Sequence, residues 1–294
     1  MNEEAKRAWF ALPIIILVGA GLALAGSQGS ATTGRFPLYA LGIIMAFVIQ
    51  WIVFIPSFIN KTEHFYDLTG SIAYITITVV ALLLSPELDA RALMIGVMVI
   101  IWAARLGTFL FRRVRKAGAD QRFDAIKVSF PRFLMAWTLQ GLWVSFSLAA
   151  ALAAITSTIR VPFEFFAGAG LLVWLFGFSF EVIADTQKSR FKADPENEGK
   201  FINTGLWSWS RHPNYFGEIV LWIGVAIASI PVLRGWQWAA MISPVFITLL
   251  LTRISGIPLL EKRADEKWGG QEDYEAYKSR TSVLIPLPPG KNGN

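Results

Sequence analysis

The chain contains no cysteine. That absence excludes disulfides, thiolate catalysis and zinc–thiolate sites at once. Charge is scarce as well, at 16% of 294 residues, against roughly 25% in a soluble domain. No Gly-x-Gly-x-x-Gly lies in a strand–helix context and no Walker lysine occurs, so a nucleotide site here is of neither the Rossmann nor the P-loop kind. No repeat or low-complexity tract divides the sequence. What is present is apolar. Hydrophobic residues make up 54% of the chain, in recurrent runs of about 18 or more, each long enough to cross a bilayer core of about 30 Å. The expectation is a single all-α, polytopic integral membrane domain over 1–287, followed by a disordered polar tail at 288–294.

Eight spans are predicted, at about 9–26, 37–59, 68–85, 91–111, 132–156, 161–184, 215–233 and 236–255. With the N-terminus in the cytoplasm, and span ends counted with their adjacent loops, 22 of the 27 Lys and Arg fall on the cytoplasmic side. Four face the other side (Arg35, Arg91, Arg160 and Arg234), and Arg105 lies within the fourth span. This split is a strong positive-inside signal and places both termini in the cytoplasm. The net charge of +6 is therefore mostly topology. Contact with anionic lipid accounts for Arg112, Arg113, Arg115 and Lys116, and no nucleic-acid partner is implied. Lys6 and Arg7 before the first apolar run imitate a signal peptide, but its length and the spans that follow favour a retained helix.

The densest polar stretch beside a span is GLWSWSRHPNYFGE at 205–218. Two Trp, an Arg, a His, an Asn, a Tyr and a Glu meet there at a membrane boundary, where unpaired polar groups cost several kcal/mol each. A bound ligand explains them. An interfacial aromatic belt also accounts for Trp207, Trp209 and Tyr215, but it requires neither Asn214 nor Glu218.

A second polar cluster, NKTEHFYDLTGS at 60–71, leads into the third span. At helical spacing Glu63 and Asp67 share a face. Asp67 reads either as a functional acid just inside the membrane or as a helix cap favoured by the dipole, and Glu63 as a candidate or as a solvated loop residue. Arg105 is expected to face the interior, paired with Asp67, or to snorkel to the headgroups. Gln140, with Trp137 and Trp143, reads as the lining of a lipid pocket or as a helix–helix hydrogen bond. Asp120, Arg122 and Asp124 read as a loop brace over the pocket mouth or as solvated loop.

Three C-terminal elements occur in order: EVIADTQKSRFK at 181–192, GLWSWSRHPNYFGE at 205–218, and EKRADEKWGGQEDYEAYKSRTSVLIP at 261–286. Together they resemble the C-terminal half of the steroid 5α-reductase family (the 3-oxo-5α-steroid 4-dehydrogenase C-terminal domain), in its bacterial branch, over about 160–286. Related patterns occur in sterol C14 and Δ7 reductases and in isoprenylcysteine carboxyl methyltransferases. The resemblance implies a bacterial inner-membrane enzyme with an NADPH pocket open to the cytoplasm, walled by C-terminal helices and loops. In this reading spans within 1–159 line the substrate side and 160–287 holds the cofactor. Asp185, Lys192, Arg211, His212, Asn214, Tyr215, Glu218 and Arg263 fall where the family contacts the dinucleotide, with Tyr274 and Tyr277 nearby. The family often has Asn at the position of Glu181 and Arg at that of Lys192. In the family, a Tyr three residues before an Arg acts with an acid from the preceding span. Here Trp102 stands in the Tyr position, and an indole N–H donates a hydrogen bond but no proton at working pH. Tyr66, beside Asp67, can supply the missing hydroxyl. The catalytic candidates are thus Tyr66, Asp67, Trp102 and Arg105.

NADPH carries a pyrophosphate and a 2′-phosphate, which suit the cations Lys188, Arg190, Lys192, Arg211 and Arg263, and flat rings suit Trp207, Trp209 and Tyr215. The reading favoured is an NADPH-dependent reductase of a carbon–carbon double bond in a steroid-like, isoprenoid or other lipid. The alternative is an S-adenosylmethionine-dependent methyltransferase of a lipid or prenylated substrate, whose sulfonium prefers carboxylates and aromatic faces and for which Glu261 and Glu266 speak. A non-catalytic lipid-binding or transport role is the third reading, and the 205–218 stretch argues against it.

The topology is directly testable because the native chain has no thiol. A cysteine introduced at Gly199 should label with impermeant maleimide only from the cytoplasmic face, and labelling from the opposite face would overturn the orientation.

Overall fold

A computed structural model describes the backbone of residues 3–117 and 123–288, and their side chains apart from 112–117. The expected disordered tail, except Pro288, and Asp120 and Arg122 lie outside the described residues. Ten helices occur among them: α1 (Glu3–Gly26), α2 (Leu38–Ile59), α3 (Tyr66–Leu84), α4 (Ala90–Ala117), α5 (Phe130–Thr156), α6 (Phe165–Ala193), α7 (Pro213–Ser229), α8 (Ile242–Leu249), α9 (Ile257–Trp268) and α10 (Glu272–Arg280). A two-residue ribbon, Thr32–Thr33 with Phe36–Pro37, precedes α2.

Eight helical stretches are long and apolar enough to cross a membrane, at the expected places in the chain. Helix is the form such a run takes in lipid, because it satisfies every backbone group internally. Two spans differ from the sequence reading. The sixth was expected to end near 184, yet α6 runs on through DTQKSRFKA to Ala193, a polar extension invisible to hydropathy. The eighth is broken. A tight turn at Gly235–Met241 leads into α8, a wide turn at Leu250–Ile254 follows, and Gly256 and Pro258 open the charged helix α9.

The chain forms two compact units, one of 1–168 with 225–243 and one of 169–224 with 244–294. In the first, α5 packs against α1, α2, α3 and α4, and its alanine-rich second half is almost wholly buried. Small residues permit that closeness where no hydrophobic force drives helices together. Arg91, only 1% exposed, starts α4. Its Nη2 donates to Glu164 Oε1 at 2.7 Å and its Nη1 to the carbonyl of Ala228 at 2.7 Å. Counted from sequence only as a span-end charge, Arg91 is a buried brace within this unit.

In the second unit α6 and α7 touch backbone to backbone. A Cβ placed on Gly177 would lie 2.5 Å from the amide nitrogen of Leu221 and 2.7 Å from the carbonyl of Gly217. One on Gly217 would lie 2.6 Å from the nitrogen of Glu181, and one on Gly224 2.6 Å from that of Trp174. Gly217 and Gly224 are seven residues apart, two turns along one face. No rotamer change relieves a clash with backbone, so Gly217→Val should destabilise the protein by several kcal/mol. Gly168→Ala, where nothing lies within 4 Å, should stay within about 0.5 kcal/mol. Thermal unfolding in detergent compares them, and equal midpoints would refute the close contact.

Candidate functional site

The 205–218 stretch is held from three directions within the second unit. From α6, Gln187 Oε1 accepts the amide of Leu206 at 2.9 Å. Gly205 sits at φ +61°, a conformation that favours glycine, and a Cβ there would displace the end of Gln187, 2.6 Å away. Trp207 is buried and donates its indole N–H to the carbonyl of Ala184 at 3.0 Å, with Lys188 Nζ 4.4 Å from its ring centre. From α10, the Tyr277 hydroxyl donates to the Trp207 carbonyl at 2.7 Å. From the C-terminal segment, the Ser282 carbonyl accepts the amide of Arg211 at 2.8 Å and the Leu284 carbonyl accepts Ser210 Oγ at 2.8 Å.

A fourth anchor, beyond those three, comes from α9. Glu261 receives two partners at once: Arg211 Nη1 lies 2.9 Å from Oε2 and His212 Nε2 lies 2.7 Å from Oε1. Burial lowers the affinity of His212 for a proton, Glu261 opposes that shift, and Lys188 and Arg211 add to it. Tyr215 stands ring to ring with His212, at 5.8 Å and 13° between planes. Pro213 then opens α7, so Asn214, Tyr215 and Glu218 occupy its first turns, half-buried.

The other expected cofactor residues divide by position. Asp185 is buried on α6, one turn beyond Glu181, which packs against Gly217 of α7. Lys192 and Arg263 are exposed, on α6 and α9. Tyr274 and Tyr277 are buried beneath Phe201. The Tyr274 hydroxyl donates to Asp265 at 3.0 Å, and Lys278 Nζ lies 2.7 Å from the same oxygen. Burial raises the pKa of both phenols, so they stay protonated and act as donors. Glu261, singled out from sequence only as an acid, is the residue that ties α9 to the loop.

A nucleotide fits this donor set on one further observation. Arg211 Nε is buried with no hydrogen-bond partner, and so is His212 Nδ1. Orphaned polar atoms on adjacent residues, within a site of several cations, suit a ligand that carries both phosphate and nucleoside.

The catalytic candidates belong to the first unit. Tyr66 and Asp67 open α3, whose N-cap is Phe65; Asp67 is therefore in the first turn and not the cap. The Tyr66 ring is buried between Phe123 and Trp137, at 4.8 and 5.1 Å. Its hydroxyl donates to the carbonyl of Ala136 at 3.0 Å, and its own carbonyl accepts from Gln140 Nε2 at 3.0 Å. Trp102 is 2% exposed and edge-on to Tyr74 at 5.1 Å. Arg105 is half-buried, with its Cζ 5.9 Å from the Phe109 ring centre. Gly107 against Ser71, and Gly96 against Leu82, fix α3 and α4 antiparallel. That register sets Arg105 level with Ala73, six residues and roughly 9 Å along the axis from the level of Asp67. Glu63 is neither solvated nor on the helix. It is 4% exposed and lies 3.0 Å from Lys127 Nζ, which also lies 2.9 Å from Asp124. Asp124, and then Glu63, raise the pKa of that ammonium.

A family model described as Protein of unknown function (DUF1295) matches residues 53–281. Among curated proteins, 3-oxo-5-alpha-steroid 4-dehydrogenase 1 of Bos taurus is 28% identical over 118 residues, 40% of each chain. Steroid 5-alpha-reductase DET2 of Arabidopsis thaliana is 28% identical over 120 residues, again 40% of each. A "Probable O-methyltransferase ustE" of Ustilaginoidea virens is 33% identical over 70 residues, 24% of this chain and 25% of that one. The alignments thus span about 40% of the length of the reductase relatives. No solved structure matches.

The hydrogen-bond pattern ranks two tyrosines. Tyr277→Phe leaves the Trp207 carbonyl without its donor and should cost about 1–3 kcal/mol. Tyr274→Phe should cost less, since Asp265 keeps Lys278. Unfolding midpoints in detergent give the order, and the reverse order would show that Tyr277 does not brace the loop.

Proposed function

This chain belongs to the family described as Protein of unknown function (DUF1295), and we propose that it is an NADPH-dependent membrane reductase of a carbon–carbon double bond in a steroid-like, isoprenoid or other lipid. The observation that carries the reading is the clamped stretch from Trp207 to Glu218, with Arg211 and His212 fixed on Glu261 and buried polar atoms still unmatched. The names of the reductase relatives support the same reaction class.

NADPH, when bound, supplies a hydride. The residues that would hold it are Asp185, Arg211, His212, Asn214, Tyr215 and Glu218, with Lys192 and Arg263 for phosphate on the cytoplasmic face. Glu261, Tyr274 and Tyr277 keep that set rigid, which limits the entropy lost on binding. On the substrate side, Asp67 and Arg105 act as a charge pair on the oxygen of a conjugated carbonyl. Arg105 stabilises negative charge as it develops there, and Asp67 orients Arg105. The Tyr66 hydroxyl is tied to the Ala136 carbonyl, so it works by hydrogen bonding and by shaping the aromatic wall. Trp102 donates an indole hydrogen bond in place of a phenol. Substrate enters from the bilayer between apolar spans.

A methyltransferase reading has one specific support, the O-methyltransferase relative. Against it stand the cations Lys188, Arg190, Lys192 and Arg211, which suit phosphate and repel a sulfonium.

Calorimetry on the detergent-solubilised protein tests the cofactor. NADPH should bind and S-adenosylmethionine should not. Arg211→Ala or Lys192→Ala should weaken NADPH more than NADH, by roughly ten- to a hundredfold, the worth of a charge-assisted pair to the 2′-phosphate. Equal loss for both cofactors would assign these cations to the pyrophosphate or the membrane. Asp67→Asn should cut turnover strongly while leaving NADPH affinity almost unchanged, and unchanged turnover would remove Asp67 from the chemistry.

A further inference from the structure

His212 offers two ring nitrogens in two different environments. Nε2 lies 2.7 Å from Glu261 Oε1. An ionised carboxylate only accepts, so the hydrogen sits on Nε2 and donates to Glu261. The ring is 5% exposed, and burial favours its neutral form. A neutral ring protonated at Nε2 carries a bare lone pair on Nδ1. That atom is buried and has no hydrogen-bond partner. The residue's own amide is engaged elsewhere, donating to Ser210 Oγ at 3.1 Å.

A lone pair of this kind selects its ligand by chemistry. A phosphate oxygen is itself an acceptor and cannot satisfy it. An O–H or N–H group can. The adjacent Arg211 has the opposite need, because its buried Nε is a donor without an acceptor. A nucleotide carries the two matching groups a few bonds apart, phosphate oxygen for Arg211 and sugar hydroxyl or ring amine for His212. We propose that His212 Nδ1 accepts a hydrogen bond from the nucleoside portion of the cofactor, and that Glu261 is the positioning residue that fixes the imidazole tautomer this requires. The assignment rests on the nucleotide reading of the preceding section and specifies which cofactor atoms the site reads.

The chain has two histidines, which makes imidazole nitrogen NMR practical on the whole protein in detergent, with His64→Gln assigning the other ring. Nδ1 of His212 should resonate as an unprotonated nitrogen and should move when NADPH is added to saturation. Glu261→Ala should leave the proton shared between the two nitrogens, a spectroscopic change that mere loss of a brace does not produce. Two substitutions separate the ring's two jobs. His212→Asn keeps an acceptor near Nδ1 and loses the link to Glu261; His212→Gln keeps the link and loses the acceptor. His212→Asn should bind NADPH roughly tenfold more tightly than His212→Gln, although His212→Gln should be the more heat-stable. The opposite affinity order, a protonated Nδ1, or an Nδ1 unmoved by both NADPH and S-adenosylmethionine would overturn the proposal. An Nδ1 that moves with S-adenosylmethionine alone would keep the acceptor and remove the reductase reading instead.

Discussion

Backbone contact between α6 and α7 at Gly177, Gly217 and Gly224 is the constraint on which the second unit depends. Helices in lipid gain little from hiding apolar side chains, so close van der Waals packing has to hold them together. With no side chains between them, the two axes approach as nearly as backbone allows. Everything polar at that end inherits its position from this contact. Glu181 lies against Gly217, Asp185 follows one turn later, and Asn214 and Glu218 flank Gly217 on the other helix. The loop before α7 can then be pinned to α6 by Gln187 and by the Trp207 indole.

Glu261 completes the arrangement from α9. One carboxylate holding an Arg and a His is costly to desolvate, and its side chain is accordingly about a fifth exposed. A buried or half-buried ion pair adds little net stability. Its contribution here is orientation, since it aims Arg211 and His212 and leaves buried polar atoms of both without a hydrogen-bond partner. The first unit is organised differently. Aromatic rings crowd around Tyr66 and Trp137, Arg91 ties three segments together, and Lys127 holds Glu63 and Asp124.

Much of this was legible in the sequence, and the reasons differ by element. The eight spans follow from apolar runs alone. That the polar groups of 205–218 would need partners followed from the cost of placing Arg211, His212, Asn214 and Glu218 at a membrane boundary. The length of α6 beyond 184 was not legible, because hydropathy is blind to a polar helix that continues on packing. The burial of Arg91, counted only as a span-end charge, and of Glu63, left open between candidate and solvated loop, was not legible, since burial of a charge depends on a partner distant in the chain, Glu164 for one and Lys127 for the other. Glu261 was visible as an acid but not as a clamp, for the same reason: its partners are some 50 residues away. Tyr274 and Tyr277 sit where expected in sequence, and only the fold reveals that their hydroxyls donate to Asp265 and to the Trp207 carbonyl.

The central claim is that the second unit is built to bind NADPH. The most direct measurement is mass spectrometry of the small molecule released when the protein, purified in mild detergent without added cofactor, is denatured. The account predicts NADP(H) in near-stoichiometric amount, lost from a Gly217→Val protein whose α6–α7 contact is broken. Release of S-adenosylmethionine or its demethylated product instead would contradict it.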